Sequence, residues 1–278
     1  MPKFAPKKSI GQHFLHDKNI SKKIVSLLQI INNDTIVEIG PGTGALTQFL
    51  LKNNIKLIAY EIDKRSVEFL KQEYQSFLGR SFQIVEDDFL NSDLSKIANE
   101  SQSNIKVVGN IPYYITSPIL FHLCQYSNYL DSAVLMMQKE IFQRLIANPK
   151  TKEYGILTIL ANLFFTVVDK FDVPPSCFFP PPNVMSTVVK LEFDQNIHQM
   201  DIEQKFKVLE LVKTLFNQRR KIINNTVQKY LSQKNLSFYH LKDLPDYLKY
   251  SKMRPEELSI QDYLILYDLI THKTKISK

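Results

Sequence analysis

Three of the chain's seven glycines fall in Gly40-Pro-Gly42-Thr-Gly44, directly after the β-branched run Thr35-Ile-Val-Glu-Ile. Glycines at a strand end let backbone approach a ligand closely and adopt angles that other residues avoid. A tight strand-to-helix turn by itself accounts comfortably for one glycine and poorly for three at alternating positions. The loop therefore frames the fold: a strand, a ligand-binding turn and a helix, the opening unit of a parallel α/β sheet.

The rest of the first half fits that frame. Lys56-Leu-Ile-Ala-Tyr, Phe82-Gln-Ile-Val, Ile105-Lys-Val-Val and Ala133-Val-Leu-Met-Met read as four further strands. Between the second and third strands, Val67, Leu70 and Tyr74 recur at helical spacing. Alternating strands and helices imply mostly parallel pairing with right-handed crossovers. Thr166-Val-Val and Thr187-Val-Val-Lys-Leu add two strands, separated by Pro174-Pro-Ser-Cys-Phe-Phe-Pro-Pro-Pro, which cannot be helix because proline has no amide hydrogen.

Beyond Asn196 the pattern is helical only. Phe206, Leu209, Val212, Leu215 and Phe216 share one stripe, and Leu258, Tyr263, Leu266 and Ile270 another. The sequence thus predicts an α/β domain over residues 1–194 and a small all-helical domain over 195–278. Charge divides at the same place. Residues 1–194 carry 20 basic and 19 acidic side chains, whereas 195–278 carry 15 and 9, so most of the +7 net charge lies in the last segment. A smaller surplus, six Lys against one Asp, lies in the first 23 residues. A basic module joined to a charge-balanced one points to a polyanion partner.

Several function classes are excluded or disfavoured. Two cysteines, Cys124 and Cys177, make neither a disulfide framework nor a four-thiolate zinc site, which suits a reducing cytosol. The longest apolar stretch, Ile156 to Val168, is interrupted by Thr158, Asn162 and Thr166 and falls short of the about 20 residues a membrane span needs. The first ten residues lack the apolar core of a secretory signal. The six histidines form no ligand pattern apart from His13-x-x-His16, which lacks a partnering acid, so no metal is expected.

The chemistry gathers at successive strand ends. Glu38 precedes the glycines, where a carboxylate can hold a ligand's ammonium. Gly40-x-Gly42-x-x-Ala45 also fits a dinucleotide fingerprint, so the loop alone is compatible with NAD. Glu38 and the lack of a hydride-transfer site downstream argue against that. Glu61 ends the second strand and suits a ribose diol, and Asp88 after the third can accept an adenine amino group. The fourth strand runs into Asn110-Ile-Pro112-Tyr113. An aromatic exocyclic amine is a poor nucleophile because its lone pair is delocalised. An Asn side-chain oxygen and a carbonyl fixed by the proline can accept both amine hydrogens and aim that lone pair, while Tyr113 offers a face to the base.

Glu38 to Gly44 followed by Asn110-Ile-Pro-Tyr resembles the class I S-adenosyl-L-methionine-dependent amino-methyltransferases, which have a Rossmann-like sheet. Gly11-Gln-His-Phe-Leu15, Phe178-x-Pro180-x-Pro182-x-Val184-x-Ser186 and Phe216-Asn-Gln-Arg219-Arg220-Lys221 narrow this. Together they are similar to the KsgA/Dim family of ribosomal RNA adenine dimethyltransferases, over essentially the whole chain. His13 and Tyr114 stand where many family members have Asn.

The resemblance implies that His13 and Leu15 close over the cofactor, Gly40 lines its methionine part, Glu61 holds the ribose and Asp88 the adenine amine. Asn110 would touch both cofactor and target amine, Pro112 would set the carbonyl, and Tyr113 and Phe178 would sandwich a flipped adenine. The basic helical domain, with Arg219, Arg220 and Lys221, would grip RNA phosphates. The expected activity is dimethylation of two adjacent adenines in small-subunit ribosomal RNA, on the RNA or its precursor particle, by a cytoplasmic monomer. Two rivals share these features: an Erm-like enzyme acting on large-subunit RNA, and a non-catalytic nucleic-acid-binding factor on the same fold. The Asn217-Gln-Arg-Arg-Lys stretch favours the small-subunit enzyme, and the intact set Glu61, Asp88, Asn110 and Tyr113 argues against a dead site.

Overall fold

A computed structural model describes residues 11–194, 197–239 and 241–273. The first ten residues lie outside them. The chain divides into two compact units, Met1–Phe142 with Phe165–Gln195, and Gln143–Phe164 with Asn196–Lys278.

The first unit is built on a seven-stranded sheet. Its strands are β2 (Thr35–Ile39), β3 (Lys56–Tyr60), β4 (Phe82–Val85), β5 (Ile105–Asn110), β6 (Leu130–Gln138), β7 (Phe165–Val173) and β9 (Ser186–Phe193), in the order β4-β3-β2-β5-β6-β9-β7. The first five pair in parallel and the last two add antiparallel. All five residues of β2 are buried, as expected of a central strand covered on both faces. Helices α1 (Lys18–Leu27), α2 (Thr47–Leu50), α3 (Lys64–Glu73), α4 (Leu94–Ser101) and α5 (Thr116–Gln125) fill the connections. Their starts are legible locally: Asp17 caps α1 by accepting from the amides of Asn19 and Ile20, and Asp63 caps α3 through Arg65.

A separate two-stranded ladder joins β1 (Phe14–Leu15) to β8 (Phe178–Phe179), with Phe14 opposite Phe179 and Leu15 opposite Phe178. It stitches the segment after Gly11 to the proline-rich segment.

The second unit holds most of the remaining helices: α7 (Ile156–Phe164), α8 (Ile202–Phe216), α9 (Ile223–Gln233), α10 (Pro245–Ser251) and α11 (Ile260–Lys273), with α6 (Lys139–Leu145) running into it. The stripe residues Leu209, Val212, Leu215, Leu258, Tyr263, Leu266 and Ile270 are all buried. Its make-up differs from the linear division expected at residue 194, because Gln143–Phe164 groups with the later helices. The apolar face of α7 packs on α8, with the Phe164 and Phe206 rings 5.1 Å apart. A helix interrupted only by Thr158 and Asn162 carries little pattern to say which core it joins.

A second difference concerns the cationic stretch, which lies where the sequence pattern predicts only helix. Helix α8 stops at Phe216, and the chain turns through bonds from Arg219 N to Phe216 O (3.1 Å) and from Lys221 N to Gln218 O (2.8 Å) before α9 begins. Among the described residues, no helix is long and apolar enough to cross a membrane.

Candidate active site

The strand order reverses between β2 and β5, each the parallel neighbour of the other. In open α/β sheets the crevice outside the carboxyl ends at such a point binds ligands. One cavity opens there, lined by Gly40, Glu38, Glu61, Asp88, Asn110, Pro112 and Tyr113, and by His13, Phe14 and Leu15 from β1 and the residues before it. Residues far apart in sequence thus meet where the sequence reading expects.

The glycine loop forms one wall. Gly40 has φ +60°, and a Cβ there would meet nothing within 4 Å, so its backbone faces open space. Gly42 has φ +57°, and its would-be Cβ lies 3.1 Å from the Phe14 ring. Both positions demand glycine: the first for its backbone angle, the second also for the close approach of Phe14.

Two buried carboxylates back the loop. Glu38 is 1% exposed and accepts from Thr47 Oγ1 at 2.7 Å. Burial pushes its carboxyl up to about 8, with the neighbouring Glu61 charge adding to the shift. Glu61, also buried, accepts from Gly42 N at 2.9 Å and Asp63 N at 2.8 Å. Burial raises its carboxyl too, against the pull of those amides. Asp88 is exposed, and its Oδ1 accepts from Leu90 N at 2.9 Å, which caps a short 3-10 turn.

Asn110 ends β5, and its Nδ2 donates to the His13 carbonyl at 2.9 Å. That bond fixes which way round the amide sits and leaves Oδ1 as the acceptor. The ring of Tyr113 stacks on that of His13, with centroids 5.8 Å apart and planes at 26°, and its hydroxyl bonds Ser186 Oγ at 2.8 Å. His13 Nδ1 in turn lies 2.7 Å from Pro180 O.

Phe178 is the expected wall residue that the structure does not bring to the cavity. It is 3% exposed and belongs to the hydrophobic core, opposite Leu15, and is absent from the cavity lining. Core filling, the plainer role for a Phe, is what it does here.

Arg219 also departs from expectation. Its guanidinium pairs with Glu256 and donates to the carbonyls of Lys152 (3.0 Å) and Thr151 (2.9 Å). Arg220 and Lys221 are exposed. Among the described residues their side chains form no ion pair and no other bond.

Several site residues escape the sequence reading. Gln12 lines the cavity and donates to buried Asp63 at 3.0 Å, while Asp63 also pairs with Arg65 at 2.6 Å. Asp63 carried a signal, since it caps the helix after the second strand. Ile62 also lines the cavity and is 49% exposed, an apolar surface beside Glu61 that its strand-end position does not announce. Among the described residues, no three His, Cys, Asp or Glu side chains converge as metal ligands.

Against known proteins, residues 3–265 match the family described as "Ribosomal RNA adenine dimethylase". A relative named "Ribosomal RNA small subunit methyltransferase A", from Mycoplasma mobile, is 38% identical over 265 residues, covering 94% of this chain and 96% of that protein. Among solved structures, a dimethyladenosine transferase from Plasmodium falciparum has a TM-score of 0.74 at 27% identity, covering 91% of this chain and 96% of that one. The 23S rRNA methyltransferase ErmE has a TM-score of 0.64 at 20% identity, over 93% and 100%, a likeness of fold.

Proposed function

The chain belongs to the ribosomal RNA adenine dimethylase family, and from that premise we propose how its cavity works. Its fold is the methyltransferase fold, a mostly parallel Rossmann-like sheet with C-terminal helices. The activity is transfer of methyl groups from S-adenosyl-L-methionine to the N6 amines of two adjacent adenines near the 3′ end of small-subunit ribosomal RNA, giving N6,N6-dimethyladenines during small-subunit biogenesis.

The residues present fit the cofactor. The open space over Gly40 accepts its methionine part, and Glu38 stands behind the loop as counter-charge for the ammonium. Glu61 and Asp88 offer acceptors to ribose hydroxyls and the adenine amine, and exposed Ile62 offers the base an apolar face. His13 and Leu15 border the same space. When bound, the cofactor supplies a methyl already activated by a sulfonium leaving group. The chain's own task is therefore alignment, and no strong general base is required.

Asn110 carries this reading. Its Oδ1 is held as an acceptor by the His13 bond, so it can take an amine hydrogen and turn the lone pair into the cavity. The carbonyl before Pro112 takes the other hydrogen, and Tyr113 stacks on the base. An adenine entering the cavity must leave its stack, at about a few kcal/mol, which stacking on Tyr113 offsets in part. Phe178 supports this wall from the core through the β1–β8 ladder.

The helical unit, with Arg220 and Lys221 exposed, is the proposed grip on RNA phosphates, while Arg219 braces the turn that presents them. The proposed actor is a monomer working in the cytosol on RNA or a precursor particle.

Incubation with small-subunit and large-subunit RNA, free and as precursor particles, tests the proposal, with mass spectrometry of the product nucleosides. Dimethyladenine in small-subunit RNA alone is expected. Product confined to large-subunit RNA, or none with cofactor bound, overturns it.

A further inference from the structure

The β1–β8 ladder sorts its aromatic residues by face. Residues directly opposite in an antiparallel pair project to the same side, and successive residues alternate. Leu15 and Phe178 form one pair, both buried in the core, with Leu15 also bordering the cavity. Phe14 and Phe179 form the other, on the opposite face. The Phe14 ring lies against the glycine loop and lines the cavity, whereas Phe179 beside it is 46% exposed.

The next residues keep the strip at the cavity. Pro180 O contacts the His13 ring, which stacks on Tyr113, and Ser186 bonds the Tyr113 hydroxyl. Between them, Val184 and Met185 are exposed as well. Across the residues leading into β1, Tyr114 is 59% exposed and borders the cavity, its ring 3.6 Å from where a Cβ on Gly11 would stand. Large apolar side chains thus remain in solvent at the cavity's border and next in sequence or pairing to residues that line it or contact its lining.

We propose that Phe179 and Tyr114 are stacking platforms for the single-stranded nucleotides flanking the adenine held in the cavity. This rests on the reading of the cavity as an adenine N6 site. A target adenine drawn out of its stack leaves its neighbours unstacked at the cavity mouth. Aromatic faces there recover part of that loss without reading a base's identity, because every base has a π-face. Continuity with the cavity favours nucleotides as the occupant.

The test uses a short single-stranded oligoribonucleotide centred on two adjacent adenines, and the same strand made abasic at both flanking positions. Wild-type protein, loaded with S-adenosylhomocysteine, should bind the intact strand about a hundredfold more tightly than the abasic one, the scale for losing two base–aromatic stacks at about tenfold each. Phe179→Ala and Tyr114→Ala should each lower affinity for the intact strand by about tenfold, the scale for one stack, and leave affinity for the abasic strand unchanged. Phe179→Ala should keep the wild-type cofactor affinity and melting temperature, since its ladder contacts are made by backbone. Equal wild-type binding of both strands overturns the proposal, whether or not the variants fold. Equal losses on both strands overturn it too, because they mark a general disturbance. Methylation of small-subunit particles by the wild type is read in parallel. Its presence confines a negative result to Phe179 and Tyr114, and its absence removes the adenine site itself and this proposal with it.

Discussion

The side-chain amide of Asn110 donates to the backbone carbonyl of His13 across 2.9 Å, tying the end of β5 to the segment that borders the cavity. The bond orients the amide before any substrate arrives. Asn110→Ala loses both the orientation and the acceptor. It should lower kcat/KM by at least about a hundredfold, the scale for misplacing a reacting group. The loss of one hydrogen bond should cost only about 1 kcal/mol of stability. Single-turnover methylation beside a melting curve checks this, and near-normal turnover in a folded variant would falsify the assignment.

Glu38 gives a pH dependence whose sign is fixed by burial. Unfolded, its carboxyl titrates near the ordinary 4.5, and folded it holds its proton to about 8. Its contribution to stability is therefore fully present below about pH 4.5 and lost as pH rises through about 8. Glu61, raised in the same direction, adds to the trend. Without cofactor, Glu38→Gln should lose less melting temperature than wild type between about pH 4.5 and about pH 8. A cationic ligand facing Glu38 favours the carboxylate, so cofactor binding at neutral pH should release a proton. Calorimetry in buffers of different ionisation enthalpy measures that release. Parallel pH profiles of stability in the two proteins would contradict the burial effect.

Glu61 joins two tasks, because it lines the cavity while its two oxygens hold the amides of Gly42 and Asp63. Glu61→Ala should weaken S-adenosylmethionine binding by about 1–3 kcal/mol, the range for bonds to a charged group and the partners left unpaired. NAD should show no saturable binding to the wild type. Tight NAD binding without cofactor binding would mean that the glycine loop holds a dinucleotide.

Phe178 shows where reading from sequence stops. The strands, the glycine loop and the acids at strand ends were legible because each is written in local pattern, and the topology brings them to one edge. Which of two adjacent phenylalanines faces the core depends on pairing with Leu15, a partner far away in sequence, and a one-residue change of register exchanges the two. The destination of α7 was hidden for a similar reason, since its apolar residues suit either core. The structure makes Phe178 a core residue, so Phe178→Ala should cost about 3–5 kcal/mol of stability. Phe178→Leu, which keeps most of the volume, should restore both melting temperature and methyl transfer. A Leu variant with wild-type stability and little activity would show instead that the ring itself meets the substrate.

The cationic stretch separates a brace from a phosphate grip within three residues. Arg219 is committed inside the protein, to Glu256 and two carbonyls. Arg219→Gln leaves Glu256 and those carbonyls short of a donor. It should therefore cost about 1–2 kcal/mol of stability, discounted for partial exposure. Arg220 and Lys221 are exposed cations outside any ion pair among the described residues, so Gln at both should leave the melting temperature unchanged. If they meet RNA phosphates, removing each cation should lower the salt slope of particle binding by about 0.7–0.9. The double variant should then bind more weakly at low salt and lose less affinity as salt rises, with cofactor affinity intact. A salt titration of particle binding for both variants, paired with melting curves, reads the two roles separately. An unchanged slope in the double variant would move the phosphate grip elsewhere on the protein.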